Sequence, residues 1–318
     1  MDDGPDHQPE GKAPLALQAA MWRASLRDRR LYRQHFIWKL HGKVDRQLMR
    51  RAWEATLRRH GIFSRVMSRD DGNDLFFTKR ESPCLVWIER EVDGEANSGF
   101  GDESFEDHLQ QVTLVRRPGD RWELHWMSHH AWMDGRSRRI VLNDVRTAYS
   151  RLQAGQAPFT EPAPSFSAFV ASRRRLAQAP ASLEFWHGQL SGIRGATPLR
   201  FGMQHRPQAG SEEEFRARFR MTLPADLEAL LDRRAVELEV TLNSIFQGTW
   251  ALFLSRTASR ERVVFGAPRA CRHAGGNEAA GVVGLVMNMV PMVVEVEDHE
   301  PVADFLHLDD QRNHVHDQ

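Results

Sequence analysis

The stretch Arg121-Trp122-Glu123-Leu124-His125-Trp126-Met127-Ser128-His129, continued by His130-Ala131-Trp132-Met133-Asp134-Gly135, decides the reading of this chain. Up to His129 the residues alternate, with Trp122, Leu124, Trp126 and Ser128 on one face and Glu123, His125, Met127 and His129 on the other. A period of two is that of a β-strand, here expected to be half buried. Beyond Gly135 the period changes. Ile140, Val141, Val145, Ala148 and Tyr149 recur at helical spacing between Ser137 and Ser150, with Ser137 the expected cap of the first turn. The histidine pair, the aspartate and the glycine therefore fall on a strand-to-helix turn. Rigid elements there hold reactive groups on a loop, and a glycine lets the backbone come close to a substrate.

The pattern continues outward in both directions. Phe36, Trp38 and Leu40 alternate with polar residues as a strand ended by Gly42, and a helix follows from Asp45 to His60, with Leu48, Ala52, Trp53 and Leu57 on one face and Gly61 closing it. Asp70 to Asp74 is a turn between two strands, and Pro118-Gly119-Asp120 turns the chain into the strand that carries Trp122. Helices are expected from Ser167 to Ala177 and from Ser182 to Leu190. The Gly- and Pro-containing stretch Ser191 to Gly210 is the best lobe boundary, dividing the chain into residues 1–192 and 193–318. In the second part Phe215, Ala217, Phe219 and Met221 alternate as a strand and Pro224 opens a helix. Thr241 caps another, holding Ile245, Phe246, Trp250 and Leu254, and Val263 to Phe265 and Val290 to Val296 are further strands. Strands alternating with amphipathic helices imply an α/β chain of two lobes.

Composition excludes several classes. The 318 residues carry 43 Lys+Arg against 43 Asp+Glu, so no bulk charge calls for nucleic acid or a membrane as partner. Two cysteines, Cys84 and Cys271, are too few and too scattered for a disulfide framework or a metal knuckle, which fits a reducing compartment. No apolar run reaches membrane-spanning length, and Met1 to Lys12 is acidic and polar, unlike a signal peptide. The expected location is the cytoplasm.

Histidine is the side chain best poised to take a proton near neutral pH. If the strand runs through both His129 and His130, their rings point to opposite faces and only one meets a substrate. The same divergence disfavours a metal site built from the two histidines and Asp134. Ser128 and Ser137 lie outside a G-x-S-x-G turn and are poor nucleophile candidates. A buried Asp134 needs a charged or hydrogen-bonded partner, with Arg65, Arg269 and Arg272 as candidates. Asn288 and Arg272 read equally as channel-lining or structural, Trp132 and Met133 as packing residues, and His307, His314 and His316 as solvent-facing.

HHxxxDG at the end of a strand resembles the core motif of nonribosomal peptide synthetase condensation domains. Val263-Val264-Phe265-Gly266-Ala267-Pro268, Arg272, Val283-Gly284-Leu285, Asn288 and Pro291 resemble the later motifs of that family, in order and at similar spacing. Pro14-Leu15 with Gln18 and Trp22 resembles its opening helix, Arg59-His60 its second motif, and Phe185-Trp186 with Gln189-Leu190 and Gly192 the close of its first lobe. The resemblance runs from about Pro14 to the end of the chain. It implies two chloramphenicol acetyltransferase-like lobes with the active site in a channel between them. It also implies amide formation between an acyl or peptidyl thioester and an aminoacyl amine, both carried on phosphopantetheine arms of carrier protein domains. No cofactor of its own is expected, and an adenylation domain is expected downstream. The catalytic set it implies is His130 as general base or positioner of the amine, His129 as a structural neighbour, Asp134 as the holder of the loop, and Gly135 as donor of a backbone N–H near the oxyanion.

The chain also departs from the family pattern. The arginine that follows the second motif's histidine falls on Ser64, with Arg65 one place later. The sequence stops at Gln318 within a polar helical stretch, which reads as a fragment with its second lobe incomplete. Met1 just ahead of the domain reads as the start of a polypeptide, whose donor arrives from another protein or as a fatty acyl starter. HHxxxDG in place of the paired aspartates of cyclisation domains argues against an epimerising or cyclising variant. Two alternatives stand beside this reading: a free-standing acyltransferase using acyl-CoA, and a degenerate domain that docks carrier proteins without catalysis.

Overall fold

The computed structural model describes residues 13–93, 110–199, 220–272, 279–297 and 299–307. In chain order the described elements are α1 (Ala16–Arg27), β1 (Arg33–Leu40), α2 (Arg46–Arg59), β2 (Arg65–Arg69), β3 (Leu75–Lys79), β4 (Leu85–Glu91), β5 (Gln110–Arg117), β6 (Arg121–His129), α3 (Gly135–Gln153), α4 (Phe166–Ala177), α5 (Pro180–Leu190), α6 (Ala225–Glu237), α7 (Leu242–Ala258), β7 (Arg262–Ala270) and β8 (Met287–Glu295). Short 3-10 turns occupy Gly61–Ser64 and His130–Trp132. The chain forms two compact units. One holds the residues up to Ser182 together with Ala270–Asn288, and the other holds Leu183–Arg269 and the chain from Met289 onward.

In the first unit a four-stranded sheet has the order β1-β6-β5-β4, with β6 antiparallel to both neighbours and β4 parallel to β5. Register follows from the Pro118-Gly119-Asp120 turn, where Gly119 and Asp120 take left-handed φ values of 76° and 58° and reverse the chain tightly. On one face Phe36, Trp38, Val112, Leu114, Leu124 and Trp126 pack with Trp53 and Leu57 of α2 and Val141, Val145 and Ala148 of α3. Trp53 meets Trp126 edge-on at 5.0 Å, an arrangement that adds directional attraction to apolar burial. Helices α2 and α3 are tied by Asp144, whose carboxylate lies 2.8 Å from His60 Nε2 and 3.4 Å from Arg59 Nε.

Two expectations need correcting here. Strand β6 is buried on both faces, not one: besides its apolar row, His125 and Met127 are shielded from solvent and Glu123 is largely covered. The second face tolerates this because its polar groups are paired. Glu123 lies 2.8 Å from Arg117 Nε, and His125 Nδ1 lies 3.1 Å from His35 Nε2. Helix α2 starts as expected, with the Asp45 side chain accepting the Leu48 N–H. It does not end on a left-handed Gly61, because His60 is the C-cap and its N–H reaches the Thr56 carbonyl. Gly61 instead begins the 3-10 turn that leads into β2.

In the second unit Pro224 precedes α6, and Thr241 caps α7 by accepting the Ser244 N–H. β7 and β8 pair with each other. Val240, Ala251, Leu254, Val263, Val294, Val296, Phe305 and Leu306 form its core. The expected strand residues Phe215, Ala217 and Phe219 lie outside the described residues, as do Gly210 and the tail histidines His314 and His316. Among the described residues no helix is long and apolar enough to cross a membrane.

Candidate functional site

The site is the turn from β6 to α3. Strand pairing with β1 ends at Arg33 opposite His129, so regular alternation stops there and His130 opens a 3-10 turn. The condition that would send the two rings to opposite strand faces is therefore not met. The rings nevertheless occupy different surroundings. His129 is wholly buried, with ring centres 5.7 Å from both Trp22 and Trp132. Its Nδ1 accepts the Ala131 N–H at 3.1 Å, which puts the proton of the neutral ring on Nε2. That Nε2 is buried and has no hydrogen-bond partner among the described residues. Burial, with His130 and Arg33 adding to it, lowers the His129 pKa to about 3, so this imidazole is uncharged at neutral pH.

His130 is half-buried. Its N–H donates to the Tyr32 carbonyl at 2.7 Å and its carbonyl accepts from Met133 N–H at 3.3 Å, so the main chain is fixed on both sides. The ring Nδ1 is buried without a hydrogen-bond partner among the described residues. The rest of the turn is tied to two other elements: Gln18 Nε2 of α1 donates to the Ala131 carbonyl at 2.8 Å, and Trp132 Nε1 donates to the carbonyl of Arg65 in β2 at 3.1 Å.

Asp134 is buried and collects donors from several directions. It caps α3 by accepting the Ser137 N–H at 2.7 Å, and Val286 N–H reaches its second oxygen at 3.1 Å. Arg272 Nη2 lies 2.9 and 3.1 Å from the two oxygens. Of the three arginines offered by the sequence, Arg272 is the partner. Arg65 donates to Ser167 Oγ at 2.6 Å, with burial lowering its pKa, and Arg269 Nη2 faces Gln247 and the Met292 sulfur. The cap expected at Ser137 is thus nearer the strand, on Asp134, where a carboxylate satisfies free N–H groups and meets the positive end of the helix. Ser137 Oγ donates to the Gly284 carbonyl at 2.8 Å and accepts from Arg272 Nη2 at 2.8 Å and Gly284 N–H at 3.1 Å. One donor and two acceptor positions are all a hydroxyl has, so Ser137 is spent on structure. The other Arg272 nitrogen, Nη1, donates to the Ala279 and Val282 carbonyls.

Two glycines matter here for opposite reasons. A Cβ on Gly284 would collide with the Phe166 ring, so nothing larger fits against α4. A Cβ on Gly135 would meet nothing within 4 Å. Gly135 is exposed and is the first residue of α3, where an N–H has no partner within the helix. The space beside it is open to a ligand.

The structure thus brings His129, His130, Asp134 and Gly135 onto one turn and adds Arg272, Ser137 and Gly284 behind it. Asn288 is exposed. Gly284 falls in a motif the sequence singles out, whereas Tyr32 and Val286 had no signal to find them, because they are tied to the turn through their main-chain atoms across long sequence separations. Arg59 and His60 hold Asp144 away from the turn. Among the described residues no group of three or more His, Cys, Asp or Glu is placed to hold a metal ion.

Comparison with known proteins places these features in a family. The chain is 27% identical over 288 residues to chondramide synthase of Chondromyces crocatus, covering 87% of this chain and 7% of that protein. It is 26% identical over 287 residues to one of the linear gramicidin synthase proteins of Brevibacillus parabrevis, covering 84% of this chain and 6% of that protein. The chain therefore spans less than a tenth of the length of these curated relatives. Its fold is similar to the crystal structure of the first condensation domain of the CDA synthetase, with a TM-score of 0.69 at 17% identity over 96% of this chain and 75% of that one. The family model for the condensation domain matches residues 11–316, and the chain belongs to the condensation-domain family.

Proposed function

We propose that the β6–α3 turn joins a carrier-bound acyl or peptidyl thioester to a carrier-bound aminoacyl amine, forming an amide in nonribosomal peptide synthesis. The observation that carries this reading is the His130 ring: half-buried and so partly open to a ligand, and fixed through its main chain on the turn that also bears the exposed Gly135. An imidazole so held is available to a substrate. The amine nitrogen attacks the thioester carbonyl, forming the C–N bond. The oxyanion is met by the free Gly135 N–H at the α3 start, and collapse breaks the C–S bond. His130 takes the proton released by the amine and returns it to the departing pantetheine sulfur, or it orients the amine while water carries the proton. His129, neutral and buried, shapes the turn, and Asp134 locks it through Arg272.

The Asp134–Arg272 pair supports this reading over the degenerate docking domain, because Arg65, displaced by one place, is not needed to hold the aspartate. Partners on this reading are peptidyl or acyl carrier protein domains and an adenylation domain, the site is cytoplasmic, and the substrates bring their own phosphopantetheine. The test offers the synthetase that contains this domain two donor sets, a carrier-loaded thioester and the matching acyl-CoA, each with an amine on its carrier or free. Amide product only from the carrier pair is the expected result. Equal turnover of acyl-CoA with a free amine would support the free-standing acyltransferase, and no product from either set would support the docking domain.

A further inference from the structure

Ala131 follows His130 on the 3-10 turn, and its carbonyl accepts no main-chain N–H among the described residues. A continuing 3-10 turn would aim the Asp134 N–H at it, but that N–H donates to the Gly284 carbonyl at 3.1 Å. The bond comes instead from 113 positions away: Gln18 Nε2 on α1 donates to the Ala131 carbonyl at 2.8 Å, and both residues are fully shielded from solvent. The other end of the same amide, Oε1, accepts the Leu15 N–H at 3.0 Å at the start of α1. We propose that Gln18 is a positioning residue for His130: its amide supplies the bond that the main chain withdraws from the turn, so that the turn stops at Asp134 and the imidazole is held in place.

Chemistry fixes which way the amide faces. A carbonyl only accepts and an N–H only donates, so Nε2 must meet Ala131 and Oε1 must meet Leu15. The three-residue turn has one internal bond, from Met133 N–H to the His130 carbonyl, and its other hydrogen bonds come from side chains. His129 Nδ1 takes the Ala131 N–H, and Gln18 takes the Ala131 carbonyl. One helical turn beyond Gln18, Trp22 meets His129 and Trp132 edge-on, with ring centres 5.7 and 5.4 Å apart, so one face of α1 braces the turn. Without the Gln18 donor, the buried Ala131 carbonyl would be unsatisfied and would compete with Gly284 for the Asp134 N–H. That competition would wind the turn one residue further and carry His130 with it.

This inference rests on the role proposed for His130. The test uses the full synthetase with loaded carriers and compares Gln18→Met and Gln18→Glu with the natural protein. Turnover per folded molecule is read from about pH 6 to about pH 8.5, a range that spans the raised pKa of a buried carboxyl. Methionine fills the space with neither a strong donor nor a strong acceptor. It is expected to lose about 10- to 100-fold in kcat with little change in KM, because displacement of a reacting group by about 1 Å can cost roughly a hundredfold. Glutamate keeps an acceptor for Leu15, and its second oxygen can donate to Ala131 only as the neutral acid. Burial favours that acid, so the rate of the Glu variant relative to the natural protein is expected to be low at about pH 8.5 and to rise by about tenfold or more towards about pH 6. A purely structural role would leave that ratio flat. Methionine at the natural kcat, or a glutamate ratio that does not change with pH, overturns the proposal. Should the methionine variant fail to fold, the glutamate profile decides. His130→Ala is the separate control: natural turnover by that variant would remove the chemistry assigned to His130, whereas a slow His130→Ala beside unaffected Gln18 variants would remove only the role of Gln18.

Discussion

His129 and Asp134 lie close together on the β6–α3 turn and meet burial in opposite ways. The imidazole gives up its charge, with its pKa lowered to about 3, whereas the carboxylate keeps a counter-ion in Arg272 and two main-chain donors. The first strategy makes stability depend on pH. Between the ordinary histidine pKa near 6.5 and about 3, the unfolded chain binds a proton at this position that the folded one refuses, so stability is full above pH 6.5 and falls as pH drops through that window. His35 and His125, also lowered chiefly by burial, act in the same direction. Denaturant titrations at about pH 7 and about pH 4.5, either side of the ordinary histidine range, should show the loss. His129→Asn, which offers Ala131 an acceptor without a titrating ring, should reduce it. An undiminished pH dependence in that variant would contradict the assignment. The second strategy makes the pair vulnerable to truncation. Arg272→Met leaves Asp134 without its cation and should cost about 3–5 kcal/mol, read from the shift of the urea midpoint.

At the scale of elements, what the sequence makes legible is what is local. Asp45 before an apolar helical stripe announces the start of α2, and its cap to Leu48 N–H is present. Asp45→Ala should therefore cost about 1 kcal/mol, measurable by thermal unfolding, with no change in the identity of the fold. Thr241 announces α7 in the same way, and the alternation from Arg121 to His129 matches β6. Ser137 misleads because serine and aspartate are both good caps, and only the contact between the Asp134 carboxylate and the Ser137 N–H shows which one the helix uses. The half-buried reading of β6 fails because alternation reports polarity, not exposure. Glu123 and His125 are polar, yet pairing with Arg117 and His35 lets that face be covered. Gly61 follows a helix, but its neighbour His60 already closes the last turn.

At the scale of the molecule, the site depends on a segment far away in sequence. Asp134 and Arg272 are 138 positions apart, and Gly284 lies 147 from Ser137, yet Ala270–Asn288 belongs to the same compact unit as the turn. No short-range period encodes that return, which is why the sequence offers Asp134 three arginines without showing which of them is its partner. Arg272, the Ala279 and Val282 carbonyls, Gly284 and Val286 together form the back wall of the turn. The chain spans less than a tenth of the chondramide and linear gramicidin synthases it is similar to, and on the proposed reading the turn operates on substrates delivered by other domains. The most direct test of that account is single-turnover amide formation between two loaded carriers in the intact synthetase, comparing the natural protein with His130→Ala. Loss of general acid–base or positioning assistance should slow product formation by about a hundredfold or more while carrier loading is untouched. Product formed at the natural rate by the variant would contradict the assignment of the chemistry to His130.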